Sequence, residues 1–209
     1  MSDVGAFARA ALELGSATLG ESGARRMHPR IKPVWKGAQI AAPAFPVRCT
    51  PGDNLGIHVA VARAPEGSAL VADMGGTRDF GYWGEVLTTG AESRRLTALV
   101  IDACVRDCDA LEAHAFPVFA TGLALTGASK VHPGSIGLPV TVGDVAVEAG
   151  DWIVGDVDGV VVLPGATLDA VLAAGQSRAD KERALFAALR AGSTTVDEFG
   201  LDAGLIEGG

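Results

Sequence analysis

Apolar residues fall along this chain in three rhythms. Residues 3–14 repeat at helical period, with Val4, Phe7, Ala8, Ala11 and Leu12 on one stripe and Ser2 as the predicted cap. A second short helix is predicted over 17–23, after Ser16. The basic, proline-broken segment 25–33 reads as a loop, a solvated connection, with an anionic substrate or a neighbouring subunit's acids as the alternative partners for its charge. Residues 38–49 form a strand region that stops at the turn Pro51-Gly52-Asp53-Asn54. Asp53 or Asn54 then caps a helix over 55–63, inside which His58 reads as a packed histidine. Two short runs without polar alternation, at 68–73 and 99–101, read as buried parallel strands covered on both faces. Between them a glycine-rich loop over 74–84 leads into a helix over 84–96.

Beyond the second buried strand the chain predicts a short helix over 107–114 and a strand over 117–120. A long Gly/Ser/Pro loop spans 122–138, and its Lys130 and His132 read as solvated. From 139 to 163 short strands are punctuated by Gly143-Asp144, Gly150-Asp151 and Asp158-Gly159, the signature of an antiparallel half. A long helix over 166–190 carries Arg178, Asp180, Lys181, Glu182 and Arg183 as a solvated charged face. The acidic tail 192–209 packs loosely or fits a partner subunit. Together these elements predict one α/β domain over 1–209 with a mixed sheet and flanking helices, 1–15 and 166–209 being its terminal helix and its helix plus tail.

Composition narrows the function. With 48% hydrophobic and 20% charged residues the chain can bury a sizeable core, and at 5% aromatics that core is Val, Leu, Ile and Ala. A net charge of −8 speaks against nucleic acid and anionic membrane as partners. No basic-then-apolar leader opens the sequence and no run reaches membrane-spanning length, which predicts a cytoplasmic protein. Cys49, Cys104 and Cys108 contain no Cys-x-x-Cys pair and read as reduced thiols that fill space.

The chemistry concentrates around Leu99-Val100-Ile101-Asp102-Ala103-Cys104-Val105-Arg106-Asp107. Arg106 and Asp107 follow the carboxyl end of a buried strand, where open α/β sheets place ligands. A guanidinium takes a carboxylate by two parallel hydrogen bonds, and an adjacent carboxylate holds a hard cation, so the pair suits a 2-oxo acid chelated to Mg²⁺. The same two residues also read as a surface ion pair capping the next helix. Ahead of them, Gly84, Glu85, Val86 and Leu87 open a helix whose unpaired N–H groups form an anion-binding end.

Breaking a C–C bond beside a ketone needs an electron sink, either a lysine Schiff base or a metal. Lys32, Lys36, Lys130 and Lys181 all lie in loops or on a charged helix, so no lysine is a good candidate. The metal route has one, with Asp107 as direct ligand, Arg106 on the substrate carboxylate and the Val86 and Leu87 amides on the same oxyanion. Glu85 would hold a metal-bound water. His28, His58, His114 and His132 are scattered, which disfavours zinc and favours Mg²⁺ or Mn²⁺.

These landmarks have a counterpart in a known family. Pro51-Gly52-Asp53-Asn54, Trp83-Gly84-Glu85, Val105-Arg106-Asp107, Phe116-Pro117-Val118-Phe119, Pro139-Val140 and Gly155-Asp156-Val157-Asp158-Gly159-Val160 together resemble the RraA-like family and the class II 4-hydroxy-4-methyl-2-oxoglutarate aldolases. The resemblance implies a layered α/β/β sandwich of the swivelling-domain type, assembled as a trimer or a dimer of trimers with sites between subunits. It implies metal-dependent cleavage of 4-hydroxy-2-oxo diacids, including 4-carboxy-4-hydroxy-2-oxoadipate, to pyruvate, with oxaloacetate decarboxylation alongside. Glu85 falls where the aldolases usually carry Asp, Arg106 on the pyruvyl-binding arginine, and Asp107 on the metal ligand. Val86 and Leu87 fall on the substrate-holding amides. Glu182 falls near the distal acid that the neighbouring subunit's last helix contributes, acting like Glu85 through a water. Ala103 replaces the family's usual glycine, and Ala110, beside Asp109, stands where many members carry an acid. The resemblance leaves two other functions in play, a protein-binding regulator of ribonuclease E and a lyase for a different 2-oxo acid.

Overall fold

The computed structural model describes residues 4–208. The predicted cap Ser2 lies outside them. The first helix, α1 (Val4–Glu21), is broken at Gly15 (φ 77°, ψ 162°), where the two predicted helices meet. Asp156 caps the second piece from across the fold, accepting from the Ser16 N–H at 2.7 Å and the Ser16 hydroxyl at 2.6 Å. The basic segment is not a plain loop. It contributes two short strands, β1 (Arg25–Arg26) and β2 (Lys32–Pro33). Both are sheet edges, where backbone pairing needs no apolar side chains and a proline is tolerated.

The remaining elements follow the predicted order. They are β3 (Ile40–Arg48), α2 (Leu55–Arg63), β4 (Ala69–Asp73), α3 (Glu85–Ser93), β5 (Ala98–Ile101), β6 (Cys104–Val105), α4 (Cys108–Ala113) and β7 (Val118–Ala120). After them come β8 (Gly122–Leu123), β9 (Ser135–Ile136), β10 (Val140–Val142), β11 (Val145–Val147), β12 (Trp152–Gly155), β13 (Val160–Leu163), α5 (Leu168–Arg190) and α6 (Thr195–Phe199). The long loop over 122–138 thus carries two strand pieces. Helix α3 stops short of its predicted end because Arg95 turns into the left-handed region at φ 54°.

One mixed sheet runs in the order β1-β13-β12-β3-β4-β5-β7-β2, with β9 on β3. Its centre, β3-β4-β5-β7, is parallel and its wings are antiparallel. The uninterrupted apolar runs are explained by cover on both faces. Leu70, Ala72, Leu99 and Ile101 pack under α2, α3 and α4 with Ile57, Leu111 and Trp83. Val71 and Val100 face the opposite side, against Ile31, Val142 and Val162. Helix α1 covers the antiparallel wing through Phe7, Trp152 and Leu163. Ala103 is fully buried in the first of these clusters, so its methyl is accommodated by packing.

Asp102 follows the end of β5 and does not line the cleft that Arg106 lines. Its carboxylate accepts from Arg30 at 2.9 and 2.7 Å, from Arg78 at 3.0 Å and from the Gly143 N–H at 3.1 Å. Arg30 also holds Asp144. The predicted solvated connection is therefore an ionic clasp between the sheet and the β10–β11 turn. Burial pushes the Asp102 carboxyl up, but the hydrogen bonds from Arg30, Arg78 and Gly143 outweigh it and hold the group at about 2, against an ordinary value of 3.8.

A carboxyl held below its unfolded value stabilises the fold above that unfolded value and loses this contribution as pH falls through the folded one. Between pH of about 4 and about 2 the stability gap between the protein and its Asp102→Asn variant should therefore shrink by about 2 kcal/mol. Urea midpoints measured across that window check it; a gap independent of pH would refute it.

Candidate active site

The site is built where two helix starts meet at a two-residue strand. Asp102 and Ala103 bend the chain after β5, so Arg106 and Asp107 do not follow the central strand directly. They follow β6, which pairs in parallel with β8. On its other flank β6 is bound by the segment before α3, since Tyr82 N–H reaches Cys104 C=O at 3.2 Å and Arg106 N–H reaches Trp83 C=O at 2.9 Å. This approach leaves no room for side chains. A Cβ on Gly84 would lie 2.2 Å from Asp107 Oδ2, and one on Gly81 would lie 2.4 Å from the Ala124 carbonyl oxygen and 3.1 Å from Arg106 Cδ.

Asp107 adopts φ 59° and ψ 40°, a left-handed conformation that costs a non-glycine residue on the order of 1 kcal/mol. Asp107 stands at the N-cap position of α4, immediately before Cys108. Its side chain does not cap that helix but swings back to α3, where Oδ2 accepts the Glu85 N–H at 3.1 Å. Arg106 Nε stands 3.7 Å from the same oxygen, a loose pairing that leaves the guanidinium available. Gly84 offers α3 no side-chain cap, Asp107 takes only the Glu85 N–H, and among the described residues the Val86 and Leu87 N–H groups have no partner. A cleft of about 300 Å³ opens over these groups and is lined by Gly84, Val86, Leu87, Arg106 and Asp107.

Three further polar side chains line the cleft and were not legible as site residues. Asn54 and His58, one turn apart at the start of α2, line it together with Lys130. Asn54 donates its side-chain N–H to Tyr82 C=O at 2.7 Å, while its Oδ1 and the His58 Nε2 are buried without a hydrogen-bond partner. Burial, and after it the nearby positive charge of Lys130, draws the His58 imidazole below its ordinary value. Lys130 is exposed, as its loop position implied, yet it faces this cleft. Asn54 belongs to the turn Pro51-Gly52-Asp53-Asn54, and its spacing from His58 across one helical turn is the signal that could have joined the two.

The structure does not bring every candidate together. The Glu85 carboxylate lies beside His114, 3.7 Å from Nε2, and His114 Nδ1 sits 2.9 Å from Glu92 Oε2. Only the backbone of Glu85 touches Asp107. Within one protomer Glu182 is held by Arg178 at 3.0 Å on α5, beside Leu185 and Phe199, and is absent from the cleft. The thiols are not part of it either; burial pushes Cys49 up to about 11, and Cys108 Sγ lies 3.4 Å from Val34 C=O.

Asp107 suits a hard divalent cation. Its carboxylate is part-exposed, and Oδ1 has no hydrogen-bond partner among the described residues. No group of three or more His, Cys, Asp or Glu among the described residues is placed to hold an ion. A single carboxylate fits Mg²⁺ or Mn²⁺, which keep waters and share their shell with substrate oxygens, better than it fits zinc.

Comparison with known proteins bears on the family and the fold. The profile of the RraA-like family, described as Aldolase/RraA, matches residues 9–162. A protein of Halalkalibacterium halodurans, provisionally named a 4-hydroxy-4-methyl-2-oxoglutarate aldolase, is 34% identical over 153 residues, covering 73% of each chain. Among solved structures, an uncharacterized protein of Pseudomonas syringae superposes with a TM-score of 0.80 at 24% identity, over 90% of this chain and 94% of that one. RraAS2 of Streptomyces coelicolor, described as an unusual member of the RNase ES inhibitor RraA family, gives 0.74 at 24% identity over 86% and 94%. At that identity the two structures speak for the fold alone. None of the described helices is long and apolar enough to cross a membrane.

The contact at Gly84 yields a direct test. Gly84→Ala should cost roughly 1–3 kcal/mol of stability by overpacking and should break the Glu85 N–H to Asp107 bond. Thermal unfolding and the amide shift of Glu85 read the two effects; an unchanged Glu85 amide would show that the approach is looser than described.

Proposed function

This chain belongs to the RraA-like family, and on that premise we propose that it is a metal-dependent lyase that cleaves a 4-hydroxy-2-oxo diacid to pyruvate. The observation that carries the reading is the pairing of Arg106 with a strained, cleft-facing Asp107 beneath two unpartnered helix amides. Arg106 takes the carboxylate next to the ketone, and the Val86 and Leu87 amides donate to it, which fixes the 2-oxo group over Asp107. Asp107 would hold Mg²⁺ or Mn²⁺, which when bound polarises that ketone as a Lewis acid.

The bond that breaks joins C3 and C4. Its electrons pass to the 2-oxo group, the C4 hydroxyl loses its proton as it becomes a carbonyl, and C3 is then protonated to give pyruvate. Oxaloacetate decarboxylation follows the same electron flow with CO₂ as the departing group. Glu85 receives the hydroxyl proton through a water, with Glu182 of the partner subunit opposite it in a trimer or dimer of trimers. Self-association is supported by Phe186 and Phe199 on the last two helices and Leu205 and Ile206 in the tail, all presented to solvent. The far half of the substrate meets Lys130, which suits a second carboxylate, and Asn54 Oδ1, which lacks a hydroxyl donor.

Coupled detection of pyruvate over oxaloacetate, 4-hydroxy-4-methyl-2-oxoglutarate and 4-carboxy-4-hydroxy-2-oxoadipate tests the reading. EDTA should abolish release, Mg²⁺ or Mn²⁺ should restore it, and Asp107→Ala should not respond to either ion. Arg106→Ala should weaken oxalate binding by about 1.5–3 kcal/mol, the worth of hydrogen bonds to a charged group. Turnover that survives thorough chelation would point to another electron sink. Absence of turnover together with specific capture of ribonuclease E would favour the regulator reading instead.

A further inference from the structure

The cleft's outer wall is an exposed strap, residues 126–133, that almost no apolar contact secures. Leu125 beside it is 92% exposed and Val131 within it 74%. The Thr50 hydroxyl donates to the Pro133 C=O at 2.7 Å, and the middle of the strap is gripped by one buried carboxylate. Asp53, 1% exposed, accepts from the Ser129 hydroxyl at 2.7 Å, the Val131 N–H at 2.7 Å and the His132 N–H at 3.1 Å through Oδ2. Its other oxygen accepts the Leu55 N–H at 2.8 Å, tying the same side chain to the start of α2. Backbone bonds from Asn54 N–H to Ser129 C=O and from Ser129 N–H to Gly52 C=O, each 2.9 Å, add to the seam. The strap's far end is fastened where Gly81 N–H meets Thr126 C=O at 2.7 Å.

Lys130 is flanked on both sides by residues that Asp53 grips, and it alone of the three reaches the cleft. Asp53 does not line the cleft. We propose that Asp53 is a positioning residue, whose carboxylate clamps the strap and so holds Lys130 over the cleft to receive the distal acid of the substrate. Burial by itself would push the Asp53 carboxyl up, but the Ser129 hydroxyl and the Leu55, Val131 and His132 amides hold it well below the usual carboxylate range. It is therefore an anion throughout the physiological range, and its acceptors are never lost to protonation. The role of Lys130 rests on the keto-diacid reading, whereas the clamp itself does not.

The two parts separate experimentally. In amide hydrogen exchange on the whole protein, Val131 and His132 should be protected although their residues are exposed, while the Lys130 amide is not. Asp53→Asn should speed both by roughly tenfold or more, and trypsin should then cut after Lys130. Ser129→Ala removes a single bond and carries the same test in weaker form should Asp53→Asn fail to fold. Wild-type amides that exchange as fast as that of Lys130 would overturn the clamp.

Calorimetry with Mg²⁺ present tests the second part, using pyruvate and the uncleaved diacid 2-oxoglutarate as probes. Lys130→Ala and Asp53→Asn should each lower the preference for the diacid by about tenfold and leave pyruvate affinity unchanged. The double variant should lose no more than either single one. Full additivity would detach Asp53 from Lys130. A wild-type cleft that binds neither acid would overturn the role of Lys130 together with the lyase reading, and the exchange result would still decide the clamp.

Discussion

Everything at the candidate site depends on one close approach, the contact of the 81–84 backbone with β6 and the turn that follows. Glycine at 81 and 84 lets the chain before α3 lie against Arg106 and Asp107 with no side chain between them. That contact brings the start of α3 beside the start of α4, and the left-handed turn at Asp107 joins them by a hydrogen bond to Glu85. A carboxylate, a guanidinium and two open amides then face one cleft. Without the glycines the same residues would stand apart on two separate loops.

The apolar core and the polar clasps divide the work of holding this arrangement. The sheet is fixed by burial of Val, Leu, Ile and Ala on both faces, which is insensitive to the details of the loops. The loops are fixed by buried carboxylates. Asp102 ties the chain before β2 to the β10–β11 turn, and Asp53 ties the strap to α2, each by several charge-assisted bonds. Both anions lie at the ends of apolar segments. A single side chain there fixes loops far away in sequence at the cost of one desolvated charge, which the surrounding donors offset.

How much of this was readable follows from the range of each interaction. The helix over 55–63, the buried strands at 69–73 and 98–101 and the antiparallel half are set by local periodicity, and they stand where the pattern put them. Arg106, Asp107 and the open end of α3 were also visible, because residue type and order along the chain suffice to mark them. Asn54, His58 and Lys130 were not. Their place in the cleft comes from a strap folding back over a helix start some seventy positions earlier, and no local pattern encodes that. The basic segment 25–33 departs from a solvated connection for the same reason, since its Arg30 finds partners 72 and 114 positions away.

The sequence by itself determined the α/β architecture, the family and the acid–arginine–aspartate order, since these depend on side-chain type and on spacing within a turn or a strand. Only the tertiary structure decided which side chains share a cleft, because that depends on bends and loops whose path is fixed by contacts distant along the chain. Asp102 shows the difference most plainly. In the sequence it stands four positions before Arg106 at the end of the same strand. In the fold the chain bends at 102–103, and Arg30, Arg78 and Gly143 hold Asp102 as part of the scaffold, outside the cleft that Arg106 lines.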